Sequence, residues 1–109
     1  MTKLNPQLTP PYYAVIFTSI RTKQDPFGYA DAADRMHQLA NEYPAFLGLD
    51  SARNDVGITV SYWRDLDTIK QWKNHADHKL AQALGREKWY QAYSVKIAKV
   101  EMEYDFEAE

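Results

Sequence analysis

Two histidines and a tryptophan on one stretch of chain are the first residues whose types could do chemistry. His75 and His78 stand three apart, so on a continuous helix they share a face. Imidazole titrates near neutral pH, and such a pair could act as a general base or ligate a metal. The same spacing equally fits exposed or capping histidines beside a helix junction. A catalytic zinc site wants three protein ligands and a structural one four. Asp77 projects elsewhere on a helix and the chain has no cysteine, so no metal site is assigned. The planar indole of Trp72 can stack on a planar aromatic ligand, and its N–H can donate to a ligand oxygen. Tyr93 adds a phenol as base or donor. Trp63, Phe17 and Trp89, with Phe46 and Tyr90, each suit a core as well as a site. As a group they imply a hydrophobic cavity with a few polar edges. The candidate catalytic residues are thus His75, His78 and Tyr93, and the candidate substrate-binding residues are Trp72, Trp63, Phe17 and Trp89. Arg53 and Arg64 read as solvated strand-end residues, and His37 as a boundary residue of a helix.

Six elements must position these side chains. Residues 1–11 hold Pro6, Pro10 and Pro11 and read as an extended arm. Tyr12–Arg21 is β-branched and aromatic, a strand. Asp25-Pro26 starts a helix, Asp capping free N–H groups and Pro fitting the first helical position. Its apolar face carries Tyr29, Ala32, Ala33, Met36, Leu39, Ala40 and Tyr43, and Pro44 stops it. Phe46–Arg53 and Gly57–Arg64 form a hairpin around Asn54-Asp55-Val56. Asp65 caps a second helical stretch that carries Leu66, Ile69 and Trp72 and continues toward Trp89, with a break expected near Asp77. Tyr93–Tyr104 is the last strand. Its apolar phase changes between Ile97 and Val100, which predicts a bulge or a change of burial partner.

The order β-α-β-β-α-β is that of an α+β, ferredoxin-like domain with a four-stranded antiparallel sheet. Two helices cover one sheet face only. The other, roughly 350 Å² in projection, is not cleanly polar, since Tyr13, Val15 and Phe17 alternate with Ala14, Ile16 and Ile20, and Tyr62 with Trp63. Pairing two such faces in a homodimer would cover it.

Composition narrows the function classes. A chain of 109 residues allows one domain. The net charge of −2, with scattered lysines and arginines, offers neither a nucleic-acid nor an anionic-membrane footprint. Zero cysteines exclude disulfides, thiolate metal sites and a cysteine nucleophile. No apolar run has the length of a membrane span and no signal peptide is evident, so a cytoplasmic location is expected. Aromatic residues reach 14%, more than so small a core readily packs, which again points to a cavity or an interface. No Gly-rich phosphate loop and no Ser-His-Asp ordering is present.

With the elements placed, local strings gain meaning. Tyr43-Pro44-Ala45-Phe46-Leu47-Gly48-Leu49 resembles the Pro-Gly-Phe-Leu-Gly segment of the antibiotic biosynthesis monooxygenase family, with Ala45 where Gly is common. Ile58-Thr59-Val60-Ser61-Tyr62-Trp63, then Trp72 with His75 and His78, then Trp89-Tyr90 and Tyr93, resemble one subgroup of it. The resemblance spans about Tyr12 to Glu103 and implies a domain over residues 12–105. It also implies a dimeric α/β barrel, with a pocket between each sheet and its helices that Trp72 lines. Relatives include cofactor-free oxygenases of polyphenolic or quinol substrates and enzymes that bind and degrade haem. The expected function is a monooxygenase acting on a planar aromatic or quinol-like substrate with no tightly bound cofactor. The alternatives are a haem-degrading oxygenase and a non-enzymatic small-molecule-binding dimer. In the haem-degrading branch the iron-ligating histidine would fall near Gln82 and a first-strand asparagine near Phe17 or Thr18. A haem site here would therefore need His75 or His78 as substitute.

Overall fold

The computed structural model describes residues 8–82 and 88–108, with side chains from 77 to 82 left out of the description. Strand β1 (Tyr12–Arg21) leads into helix α1 (Pro26–Asn41), the hairpin β2 (Phe46–Arg53) and β3 (Gly57–Trp63), helix α2 (Leu66–Gln82) and strand β4 (Tyr90–Val100). The sheet order is β2-β3-β1-β4, all neighbours antiparallel, so the first and last strands of the chain lie side by side. This is the α+β, ferredoxin-like architecture.

Both helices begin where an aspartate can receive the free N–H groups of a first turn. Asp25 sits in the left-handed region, at φ 48°, and accepts from the Gly28 N–H at 3.1 Å. A Cβ on Gly28 would lie 2.0 Å from the Asp25 carboxylate, so the cap requires glycine there. Asp65 accepts from the Thr68 N–H at 2.7 Å, and Thr68 holds its carboxyl below the usual range. The expected helix over residues 83–87 lies outside the described residues.

Side chains alternate across the strands, and the register assembles them in rows over the helix-facing side of the sheet. Phe46, Trp63 and Tyr13 form one row, then Leu49, Ser61, Val15 and Ile97. Ser51, Thr59, Phe17 and Val95 follow, and last come Arg53, Gly57, Ser19 and Tyr93. The core is small and lies toward the first of these rows. Val15, Ala40, Trp63 and Ile69 are buried, with Tyr13, Tyr43, Phe46 and Trp72 packed on them.

Two boundaries of the last strand differ from the sequence expectation. β4 starts at Tyr90, three residues before Tyr93, because a register shift opposite Ile20 and Arg21 lets Tyr90 join the ladder. It ends at Val100 and not at Tyr104. Pairing is unbroken from Ala92 to Val100, so the apolar phase change near Ile97 is no bulge. Val95 and Ile97 face the helices, whereas Val100 stands opposite Tyr12 on the other side. Beyond it Met102, Tyr104 and Phe106 are 81%, 89% and 83% exposed, alternating with Glu101, Glu103, Asp105 and Glu107.

The face away from the helices carries Ile16, Ile20, Ile58, Val60 and Tyr62. Ile20 and Ile58 are exposed there. Tyr62 donates to Asp50 at 2.7 Å, and burial, with that carboxylate, pushes its phenol up to about 12. No helix among the described residues is long and apolar enough to cross a membrane.

Candidate functional site: an aromatic cavity between sheet and helices

Few small side chains fill the space between the last sheet rows and the two helices, and a cavity of about 730 Å³ results. It is bounded by the sheet rows below and by Tyr29, Met36, His37, Ile69, Trp72 and Ala76 above. Tyr93, Val95 and Ile97 point to this side yet are 40%, 37% and 47% exposed, so the cavity opens along β4.

One end is apolar and closed. Trp63 is fully buried, its indole N–H donates to Ser61 Oγ at 2.9 Å, and its ring lies 5.0 Å from Phe46 and 5.2 Å from Trp72. Trp72 donates weakly to the Met36 carbonyl at 3.5 Å and keeps part of its ring on the cavity. Rings arranged in this way suit stacking or edge contact with a planar aromatic ligand.

The other end is phenolic, and two guanidinium groups stand beside it without lining the cavity. Phe17, Tyr90 and Tyr93 form a triangle with centroids 5.4 to 5.6 Å apart, and Tyr29 packs edge-on to Tyr90 at 5.8 Å. The Arg21 guanidinium lies 3.4 Å over the Tyr29 ring, a cation–π contact. Its Nε–H is buried and has no acceptor among the described residues. Arg53 reaches back over Gly57 and donates to Ser19 Oγ at 2.5 Å. Gly57 makes room for it, since a Cβ there would stand 2.2 Å from the Arg53 Cζ. Arg53 is thus an exposed strand-end residue, as expected, with a hydrogen bond back to the sheet. Burial, then the Tyr29 hydroxyl, pushes the Tyr90 phenol well above its ordinary value, and the nearby Arg53 and Arg21 charges only partly offset this.

Of the residues singled out from sequence, Trp72, Trp63, Phe17 and Tyr93 line this cavity. Trp89 does not. It is buried beside Tyr29, and its indole donates to Asp25 Oδ2 at 3.3 Å, next to the Lys88 ammonium at 3.4 Å. His75 is exposed on α2, away from the lining set, because Ile69, Trp72 and Ala76 take the inward positions of that helix. The His78 side chain lies outside the described residues, as does that of Gln82. Among the described side chains, the imidazole that lines the cavity is His37, on α1 and edge-on to Phe46 at 6.0 Å. It is three residues from Asp34 and one from Met36, both of which also line the cavity. That helical spacing is the signal by which it could have been found. Among the described residues no three His, Asp or Glu side chains converge as a metal ion would require.

No family model matches the chain. The uncharacterized protein YqjZ of Bacillus subtilis (strain 168) is 46% identical over 100 residues, covering 90% of this chain and 87% of its own length. Solved structures share the fold at low identity. SnoaB, a cofactor-independent oxygenase from Streptomyces nogalater, superposes with a TM-score of 0.68 at 10% identity, over 86% of this chain and 97% of that one. A Nitrosomonas europaea protein provisionally assigned as an antibiotic biosynthesis monooxygenase gives 0.67 at 12%, over 87% and 95%. A dimeric ferredoxin-like protein of unknown function from Thermobifida fusca gives 0.62 at 12%, over 90% and 100%.

Proposed function

The chain belongs to the family of Bacillus subtilis YqjZ, and we propose that it is a homodimeric oxygenase of the antibiotic biosynthesis monooxygenase type, acting on a planar quinol- or anthrone-like substrate without a tightly bound cofactor. The observation that carries this reading is the aromatic-walled cavity of about 730 Å³ between sheet and helices. A fold shared with a cofactor-independent oxygenase supports it.

In this reading the substrate's ring stacks against Trp72 and the Phe17 end while a basic group removes a proton from an activated ring carbon. Dioxygen then accepts electrons from the carbanion. One oxygen atom becomes a ring carbonyl, the other leaves as water, and both hydrogens of the original CH₂ are lost from carbon. His37 and Tyr93 touch the cavity and are the groups placed to take that proton. His75 would act only if a ligand reached beyond the cavity. Excluding water from the walls would keep the anion reactive toward dioxygen.

Oxygen uptake with a panel of quinols and anthrones tests the reaction. Turnover is expected, and Trp72→Phe should keep the fold while changing apparent substrate affinity severalfold. Absence of uptake across the panel, with bound ligand demonstrated, would reduce the protein to a passive binder.

A further inference from the structure

The two middle rows of the sheet divide the cavity floor in half. On β1 and β4 these rows present Val15, Phe17, Val95 and Ile97, all apolar. On β3 and β2 they present three hydroxyls, Ser61, Thr59 and Ser51, beside Leu49. All three hydroxyl residues line the cavity. Ser61 is 7% exposed, and its Oγ accepts from the Trp63 indole N–H at 2.9 Å. The Ser61 O–H itself has no acceptor among the described residues. A buried donor in that state costs free energy unless something in the cavity accepts from it. Thr59 and Ser51 face each other in register and share one hydrogen bond at 2.9 Å. Two hydroxyls hold two protons and that bond uses one, so one O–H is left over. The floor therefore offers two neutral donors, two residues and about 7 Å apart along β3.

We infer that this half of the floor is a subsite for ring oxygens, one held by Ser61 and a second by the Thr59–Ser51 pair, so that the cavity selects a planar ring system with oxygens on two opposite carbons. The fused rings then lie across β1 and β4, over Phe17 and Val95 and toward the opening. The inference rests on the reading that the cavity takes planar aromatics, and it adds how such a ring is turned. A dione of this kind is also what the proposed reaction leaves from an anthrone-like substrate, because the added oxygen becomes a ring carbonyl opposite the first.

The test is a titration followed by quenching of tryptophan fluorescence. Its ligands are 9,10-anthraquinone and 9,10-dimethylanthracene, in which methyl groups stand in place of the oxygens. The double variant Thr59→Val with Ser51→Ala replaces both members of the pair by apolar groups of similar shape, so it is expected to fold. It should weaken the quinone about threefold to tenfold, the worth of one hydrogen bond, and leave dimethylanthracene bound no more weakly. Ser61→Ala should do the same at the other position. That change also strands the Trp63 N–H, and where it fails to fold the double variant decides alone. Equal weakening of both ligands, or of neither, would overturn the oxygen subsite, and the aromatic pocket would stand if both still respond to Trp72→Phe. Binding of neither ligand to the parent protein would overturn both.

Discussion

At the scale of single residues, the sheet edge beside the cavity depends on a glycine. Gly57 leaves the space through which Arg53 crosses to Ser19. The backbone there is ordinary strand, and what a new Cβ would meet is the end of a flexible side chain. Gly57→Ala is therefore expected to fold with a melting temperature close to the parent's, while Arg53 gives up Ser19 and swings to solvent. Thermal melts would show it. A strong loss of stability would mean instead that Arg53 cannot move. The sequence hides this relation: Arg53 and Gly57 flank a hairpin loop, but nothing in their spacing tells that Ser19 and Tyr93 share their row. Trp72, Trp63, Phe17 and Tyr93 were legible because ring size and strand or helix period suffice to aim them inward. Arg21, Tyr29 and Arg53 needed the register of three strands.

At the scale of elements, the start of α1 is tied to the start of β4 through one carboxylate. Asp25 caps the helix by its Oδ1 and holds Trp89 and Lys88 by its Oδ2. The Trp89 N–H, foremost, and the Gly28 N–H keep its carboxyl below the ordinary value. A folded value depressed in this way means stabilisation that is present above the usual carboxylate range and is lost as pH falls through the folded value. Acidification should thus release Trp89 before the sheet opens, seen as a tryptophan fluorescence change ahead of the far-ultraviolet transition. Asp25→Asn should abolish that early step, and its persistence in the variant would assign it to another group. The elements themselves were largely legible, since Asp25-Pro26, Pro44 and Asp65 mark helix limits. β4 differs from its expected limits at both ends for physical reasons. Tyr90 joins the ladder only through the register shift, and beyond Val100 the strand would have to pair with Pro10 and Pro11, which have no N–H to give.

At the scale of the whole molecule, the face bearing Ile16, Ile20, Ile58, Val60 and Tyr62 is the one that the proposed homodimer would cover. Pairing two copies across it is expected to give a particle of twice 12.7 kDa in light scattering at micromolar concentration. Ile58→Lys, on that face and far from the cavity, should shift it toward monomer. A monodisperse monomer in the parent protein would sink the barrel assembly. The segment past Val100 has its own consequence for how copies behave together. Met102, Tyr104 and Phe106 make it a ready template for intermolecular strand addition, and the acids between them act as gatekeepers whose mutual repulsion keeps one copy's segment from zipping onto another's. Colloidal stability then hangs on ionic strength: concentrated salt should drive slow, β-rich aggregation of the parent. The triple replacement of Met102, Tyr104 and Phe106 by serine should stay clear in the same solution, because without the apolar row there is nothing left to guard.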